Sequence, residues 1–124
     1  MIVGVGTDIV QMERISHVFN KYGNEFIKKN FHKLEIEKFH LLDKKHHISY
    51  LSKRFAAKEA VSKAFGSGIS SGLNFKDIAI INDDKGAPSV FIDSAKLSEF
   101  PKYNIHISMS DDYPIAVAFV VISK

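Results

Sequence analysis

An α+β fold is what this sequence predicts, with an antiparallel sheet packed against a long central helix and shorter N-terminal helices. Three observations carry that expectation. Strand-like alternation appears at the start of the chain and again through its last third, helical periodicity fills the middle, and the late strands are joined by short polar turns. No βαβ unit is present to support a parallel sheet. At 124 residues, 45% of them hydrophobic, the chain suits one domain over residues 1–124 with a real core.

The first strand spans Ile2 to Thr7, where Ile and Val alternate with small residues, and it runs into Asp8 at its end. From about Gln11 the period changes to helical. Met12, Ile15, Val18, Phe19 and Tyr22 share one face, Glu13, Arg14, His17 and Lys21 lie opposite, and Gly23 stops the helix. A short helical piece follows over Asn24 to Lys29, then another over about Lys33 to Leu42 with a stripe of Leu34, Phe39 and Leu42. Lys44 to His47 reads as a connecting loop. The central helix spans Ile48 to Phe65, with Gly66, Ser67 and Gly68 able to take the positive φ that ends it. Strands over Phe75 to Ile81 and Val90 to Ile92 flank the polar connection Asn82 to Gly86 as a hairpin. A second pair, Asn104 to Ser110 and Ile115 to Ile122, flanks Asp111 to Pro114. The last strand is almost wholly apolar, as a central strand should be.

There is no cysteine, so disulfides and thiolate metal sites are excluded and a hard, oxygen-bound cation is the metal to consider. The N-terminus lacks the basic and apolar regions of a signal peptide. The longest apolar run, Ile115 to Ile122, is too short to cross a bilayer, so a soluble, cytoplasmic chain is expected. The net charge is only +3, yet residues 11–63 hold twelve Lys or Arg against six acids and five of the six histidines. That stretch suits an acidic partner. Nucleic acid is disfavoured, because zinc-finger spacings and basic-aromatic strand motifs are missing. Only Arg14 and Arg54 are arginines, the better fork for carboxylate or phosphate.

On the central helix, Ile48, Leu51, Phe55 and Phe65 fall to one side, and Ala57, Ala60 and Ala64 to the other. A narrow polar ridge of Ser52, Glu59 and Lys63 runs between these apolar sides. Glu59 and Lys63, one turn apart, form either an ordinary surface pair or part of a cleft. Asp8 and Glu59 are two carboxylates able to share Mg²⁺, which takes few protein ligands and completes its shell with water and phosphate oxygens. A lysine beside them would neutralise the same phosphates, a grouping suited to phosphoryl transfer. On the strand Asn104 to Ser110, His106, Ser108 and Ser110 point away from Ile105, Ile107 and Met109, so that polar face either lines a site or meets solvent. Gly4-Val5-Gly6 is not a dinucleotide fingerprint, since Ile9 stands at the third glycine position. Small residues there let the strand pack closely and leave Asp8 accessible.

Gly6-Thr7-Asp8-Ile9-Val10, Lys53-Arg54-Phe55-Ala56-Ala57-Lys58-Glu59-Ala60 with Lys63-Ala64-Phe65-Gly66, and Asn82-Asp83-Asp84-Lys85-Gly86-Ala87-Pro88 together resemble the holo-[acyl-carrier-protein] synthases, the small bacterial phosphopantetheinyl transferases. The likeness covers nearly the whole chain in order. It implies transfer of phosphopantetheine from coenzyme A to a serine of apo acyl carrier protein, with release of adenosine 3′,5′-bisphosphate. It also implies Mg²⁺ on Asp8 and Glu59, and Lys63 on the phosphates with His106 beside them. Ser62 and Gly66 would lie along the nucleotide and Gly86 and Pro88 on its adenine side. The basic first helix, through Arg14 and Lys21, would receive the acidic carrier, with Arg54 as a further docking residue. The base would be Glu59 or a metal-bound water. Such proteins are typically trimers with sites between neighbouring subunits. The chain departs from that pattern in a short Asp111-Asp112 loop, and in a preference for lysine over arginine that would weaken carrier docking. A noncatalytic coenzyme A or nucleotide-binding module is the alternative, and it predicts binding that survives loss of Glu59.

Overall fold

A computed structural model of the chain describes residues 1–66, 74–93 and 103–124. Strand β1 (Ile2–Gln11) leads into α1 (Met12–Tyr22), α2 (Asn24–Asn30) and α3 (Lys33–Leu41). A 3₁₀ turn (Lys44–His46) then opens directly into the long helix α4 (His47–Phe65). After a second 3₁₀ turn (Phe75–Asp77) come β2 (Ile78–Asn82), β3 (Pro88–Ile92), β4 (Asn104–Asp112) and β5 (Ile115–Ser123). The strands form an antiparallel sheet in the order β1-β5-β4 and a separate antiparallel hairpin, β2-β3. The fold is α+β, as expected, and the apolar strand β5 is central.

Helix α4 lies across the inner face of the three-stranded sheet. Ala57, Ala60 and Ala64 are buried there against Ala116, Ala118, Val120 and Ile122 of β5. The approach to β1 is closer still. A methyl group on Gly4 would stand 2.0 Å from the Ala64 carbonyl oxygen, and one on Gly6 would stand 2.0 Å from that of Ala60. The two glycines therefore let a strand backbone rest on a helix backbone, which is their role in place of nucleotide binding. Two helix ends carry the positive φ expected of them, 55° at Gly23 and 68° at Gly66. Ser67 and Gly68, assigned to the same stop, lie outside the described residues.

Several expectations need correction. Asp8 is not at a strand end: β1 continues through Ile9, Val10 and Gln11, each paired with β5, because the alternation of buried and exposed residues does not stop at Thr7. Lys44 to His47 is helical rather than a loop. On α3 the buried residues are Glu35 and Phe39, while Leu34 is exposed. Tyr22 is likewise exposed, beneath the Lys21 ammonium. Phe75 to Asp77 is a 3₁₀ turn, so β2 begins only at Ile78. Asp111 and Asp112 extend β4, paired with Ala116 and Ile115, and Asp111 receives Lys53 at 3.2 Å. The connection between β4 and β5 is a tight turn at Tyr113 and Pro114.

Candidate active site

The glycines that admit α4 also decide where Asp8 points. Side chains alternate along a strand, so Asp8 follows Gly4 and Gly6 onto the helix side of β1. There the Lys63 ammonium donates to Asp8 Oδ1 at 2.9 Å and to the Thr7 carbonyl at 3.0 Å. The Asp8 side chain is 16% exposed and that of Lys63 54%, so the pair marks the edge where the helix–sheet seam opens to solvent. Glu59, one turn before Lys63, is half-buried at the same edge. Burial first, and the Asp8 charge second, push its carboxyl above the ordinary carboxylate range, against the opposing pull of Lys63 and Arg14. The hydrogen bond to Asp8 in turn raises Lys63. Asp8, Glu59 and Lys63 are therefore brought together from β1 and α4, with the Arg14 charge of α1 near enough to act on Glu59.

Two carboxylates that repel each other beside a lysine suit a hard divalent cation. The donor atoms are all oxygen, and a cation between them would remove the repulsion that raises Glu59. Among the described residues no third His, Cys, Asp or Glu completes a metal cluster. The remaining positions would go to water and substrate oxygens, which is the habit of Mg²⁺.

The other expected site residues are dispersed. Arg14 and Lys21 are exposed, two turns apart on one face of α1. Ser62 is half-buried on α4, and Gly66 is exposed at its end. Gly86, with φ of 86°, closes the β2-β3 turn and its N–H donates to the Asp83 carbonyl, with Pro88 opening β3. His106 sits on the opposite face of the sheet from Asp8, where its Nε2 is 3.1 Å from Ser123 Oγ. That outer face also exposes Val5, Ile9 and Phe119.

Two assignments fail. Arg54 is not on a docking surface, since it is only 5% exposed. Its Nη2 donates to Asn82 Oδ1 at 3.1 Å and its guanidinium stacks 4.0 Å from the Tyr50 ring, whose pKa burial pushes up to about 12. It lines a cavity of about 530 Å³ with Lys38, His46, Lys53 and Asn82, away from Asp8, Glu59 and Lys63. Ser52 is not on a polar ridge either, because it is fully buried.

Sequence reasoning passed over Lys58 and Glu35. Both side chains are completely buried and paired at 2.6 Å. Helical spacing held the signal for Lys58, which shares a face with buried Leu51 and Val61.

The family profile of the 4′-phosphopantetheinyl transferase superfamily matches residues 4–118. A holo-[acyl-carrier-protein] synthase of Orientia tsutsugamushi (strain Ikeda) is 46% identical over 131 aligned positions, covering 99% of this chain and 98% of that protein. The crystal structure of holo-[acyl-carrier-protein] synthase from Neisseria meningitidis superimposes with a TM-score of 0.90 at 39% identity, covering 100% of each chain. The Bacillus anthracis synthase, solved in complex with CoA (3′,5′-ADP), gives a TM-score of 0.84 at 34% identity over 98% of this chain and 96% of that one. The chain belongs to the 4′-phosphopantetheinyl transferase superfamily, among the holo-[acyl-carrier-protein] synthases.

Proposed function

We propose that this protein transfers phosphopantetheine from coenzyme A to a serine of apo acyl carrier protein and releases adenosine 3′,5′-bisphosphate. The single domain of residues 1–124 carries the activity. The observation that supports it most is the meeting of Asp8, Glu59 and Lys63 at the mouth of the β1–α4 seam. Asp8 and Glu59 would hold Mg²⁺, which when bound supplies positive charge to the pyrophosphate oxygens. Lys63 places a second positive charge there and holds Asp8 in position. Glu59, beside the Lys63–Asp8 pair, takes the proton of the carrier serine, directly or through a water. The serine oxygen forms a bond to the β-phosphorus as the bond to the bridging oxygen breaks. The electron pair leaves with the bisphosphate, whose developing charge Lys63 partly offsets.

Ser62, Gly66, Gly86 and Pro88 line the nucleotide side in this reading, and Arg14 and Lys21 receive the acidic carrier. Release of bisphosphate in a mixture of coenzyme A and apo carrier protein tests it. The expected result is release with Mg²⁺ and none with excess chelator. Equal release in both would remove the metal from the scheme, and no release with a competent carrier would overturn the activity.

We further propose a homotrimer whose sites lie between copies, in a cytoplasmic enzyme. The support is that His106 and Asp8 lie on opposite faces of one sheet, so a single copy cannot bring both to one ligand. The exposed Val5, Ile9 and Phe119 beside His106 give a second copy an apolar surface to cover. Mixing two separately impaired variants, Asp8→Asn and His106→Ala, with subunit exchange should restore part of the activity. A mixture no more active than its components would contradict shared sites. In keeping with a cytoplasmic enzyme, the chain has no cysteine, and no described helix is long and apolar enough to cross a membrane.

A further inference from the structure

Lys58 precedes Glu59 on α4, but points into the protein where Glu59 points out. Its ammonium donates to Glu35 Oε1 at 2.6 Å, to the Phe75 carbonyl at 3.0 Å and to the Ile78 carbonyl, which uses all three of its N–H groups. Glu35 is equally occupied: Oε1 also accepts from the His32 backbone N–H at 2.9 Å, and Oε2 from that of Ile80 at 3.0 Å. One buried ion pair thus joins α4, the start of α3 and both ends of the segment leading into β2.

That joint sits where the sheet supplies none. The β2-β3 hairpin belongs to a separate two-stranded sheet and makes no ladder with β1-β5-β4. Among the described residues, the directional contacts that tie it to α4 are the Lys58 bonds and the Arg54–Asn82 hydrogen bond, while His32 before α3 holds Asp93 after β3 at 2.6 Å. Net stabilisation is a weak reason to bury such a pair, because apolar residues of similar volume commonly serve as well or better. Directional bonds that fix where one element sits against another are what apolar residues would not supply.

We propose that Lys58 and Glu35 are positioning residues for coenzyme A: their pair sets the spacing between the hairpin, with Gly86 and Pro88, and the α4 edge, with Glu59 and Lys63. The inference rests on the proposed transferase reading, in which one coenzyme A molecule reaches both elements. The carrier protein, docking on α1, does not depend on this spacing.

The test uses Glu35→Gln/Lys58→Met in the full chain, which removes both charges together and keeps an acceptor for Ile80 or His32. Thermal melting first establishes that it folds. The expected kinetic result is a rise of about tenfold in KM for coenzyme A with KM for the carrier unchanged. A purely structural role would lower the folded fraction, and with it apparent kcat, while leaving both KM values alone, and that result overturns the proposal. Should the double variant not fold, Glu35→Asp keeps the charge and draws the carboxylate back by one methylene. It is read by the same split, a higher KM for coenzyme A alone supporting the proposal and an unchanged one overturning it. Wild-type protein that transfers nothing would instead overturn the transferase reading itself.

Discussion

Glu59→Gln is expected to lower kcat/KM for transfer by about 100-fold or more, the range for loss of a positioned general base. Lys63→Ala should cost a comparable factor, as expected when a charge aimed at the developing transition state is removed. Glutamine keeps the shape of Glu59 but cannot accept a proton or balance a cation. Neither substitution touches the core. Glu59 is only half-buried, and the Lys63–Asp8 pair is solvent-exposed on the lysine side, where such pairs contribute little to folding. Both variants should therefore melt within a few degrees of wild type. Steady-state kinetics with intact, folded variants check this, and near-normal turnover in either would remove that residue from the chemistry.

Gly6→Ala should do the reverse, damaging the fold through a residue that takes no part in the reaction. Its new methyl group would meet the Ala60 carbonyl oxygen at 2.0 Å and the Ala64 nitrogen at 2.8 Å, both backbone atoms of α4. The helix cannot retreat, because β1, β5, β4 and α1 enclose it. Overpacking a rigid seam typically costs about 1–3 kcal/mol, and contact with backbone belongs at the upper end, about 3 kcal/mol or more. That corresponds to a fall in Tm of roughly 10 °C for a domain of this size. Gly86→Ala is the control: nothing lies within 4 Å of its added methyl, so only the positive φ opposes it, at a cost of about 1–2 kcal/mol. Denaturant melts of the two variants separate these cases. A Gly6→Ala protein as stable as Gly86→Ala would mean that the helix and strand are not in contact as described.

The contrast between these positions shows what the sequence made legible. Period and punctuation sufficed for α1 with Gly23, for α4 with Gly66, and for the all-apolar β5, since each follows from local pattern. Asp8, Glu59 and Lys63 could be named individually, but their meeting depends on two glycines whose significance is a distance between backbones. Strand periodicity places His106 correctly opposite Ile105 and Ile107, yet only the sheet order shows that this is the face opposite Asp8. Arg54 and Lys58 were harder for one physical reason. A charged residue in a helix reads as exposed until its buried partner is known. Those partners, Asn82 and Glu35, come from elements 28 residues later and 23 residues earlier in the chain. Lys58 announced itself by sharing a face with Leu51 and Val61. Arg54, three residues after Leu51 and seven before Val61, lies on that same face and gave the same sign.

The central claim is that this chain moves phosphopantetheine onto a carrier serine, and the intact mass of the carrier tests it most directly. Purified protein, coenzyme A, Mg²⁺ and apo acyl carrier protein are incubated together, and the carrier is weighed by mass spectrometry. The expected result is a gain of one phosphopantetheine per carrier, absent when the carrier serine is replaced by alanine. An unchanged mass, with a carrier that another transferase modifies under the same conditions, would contradict the account.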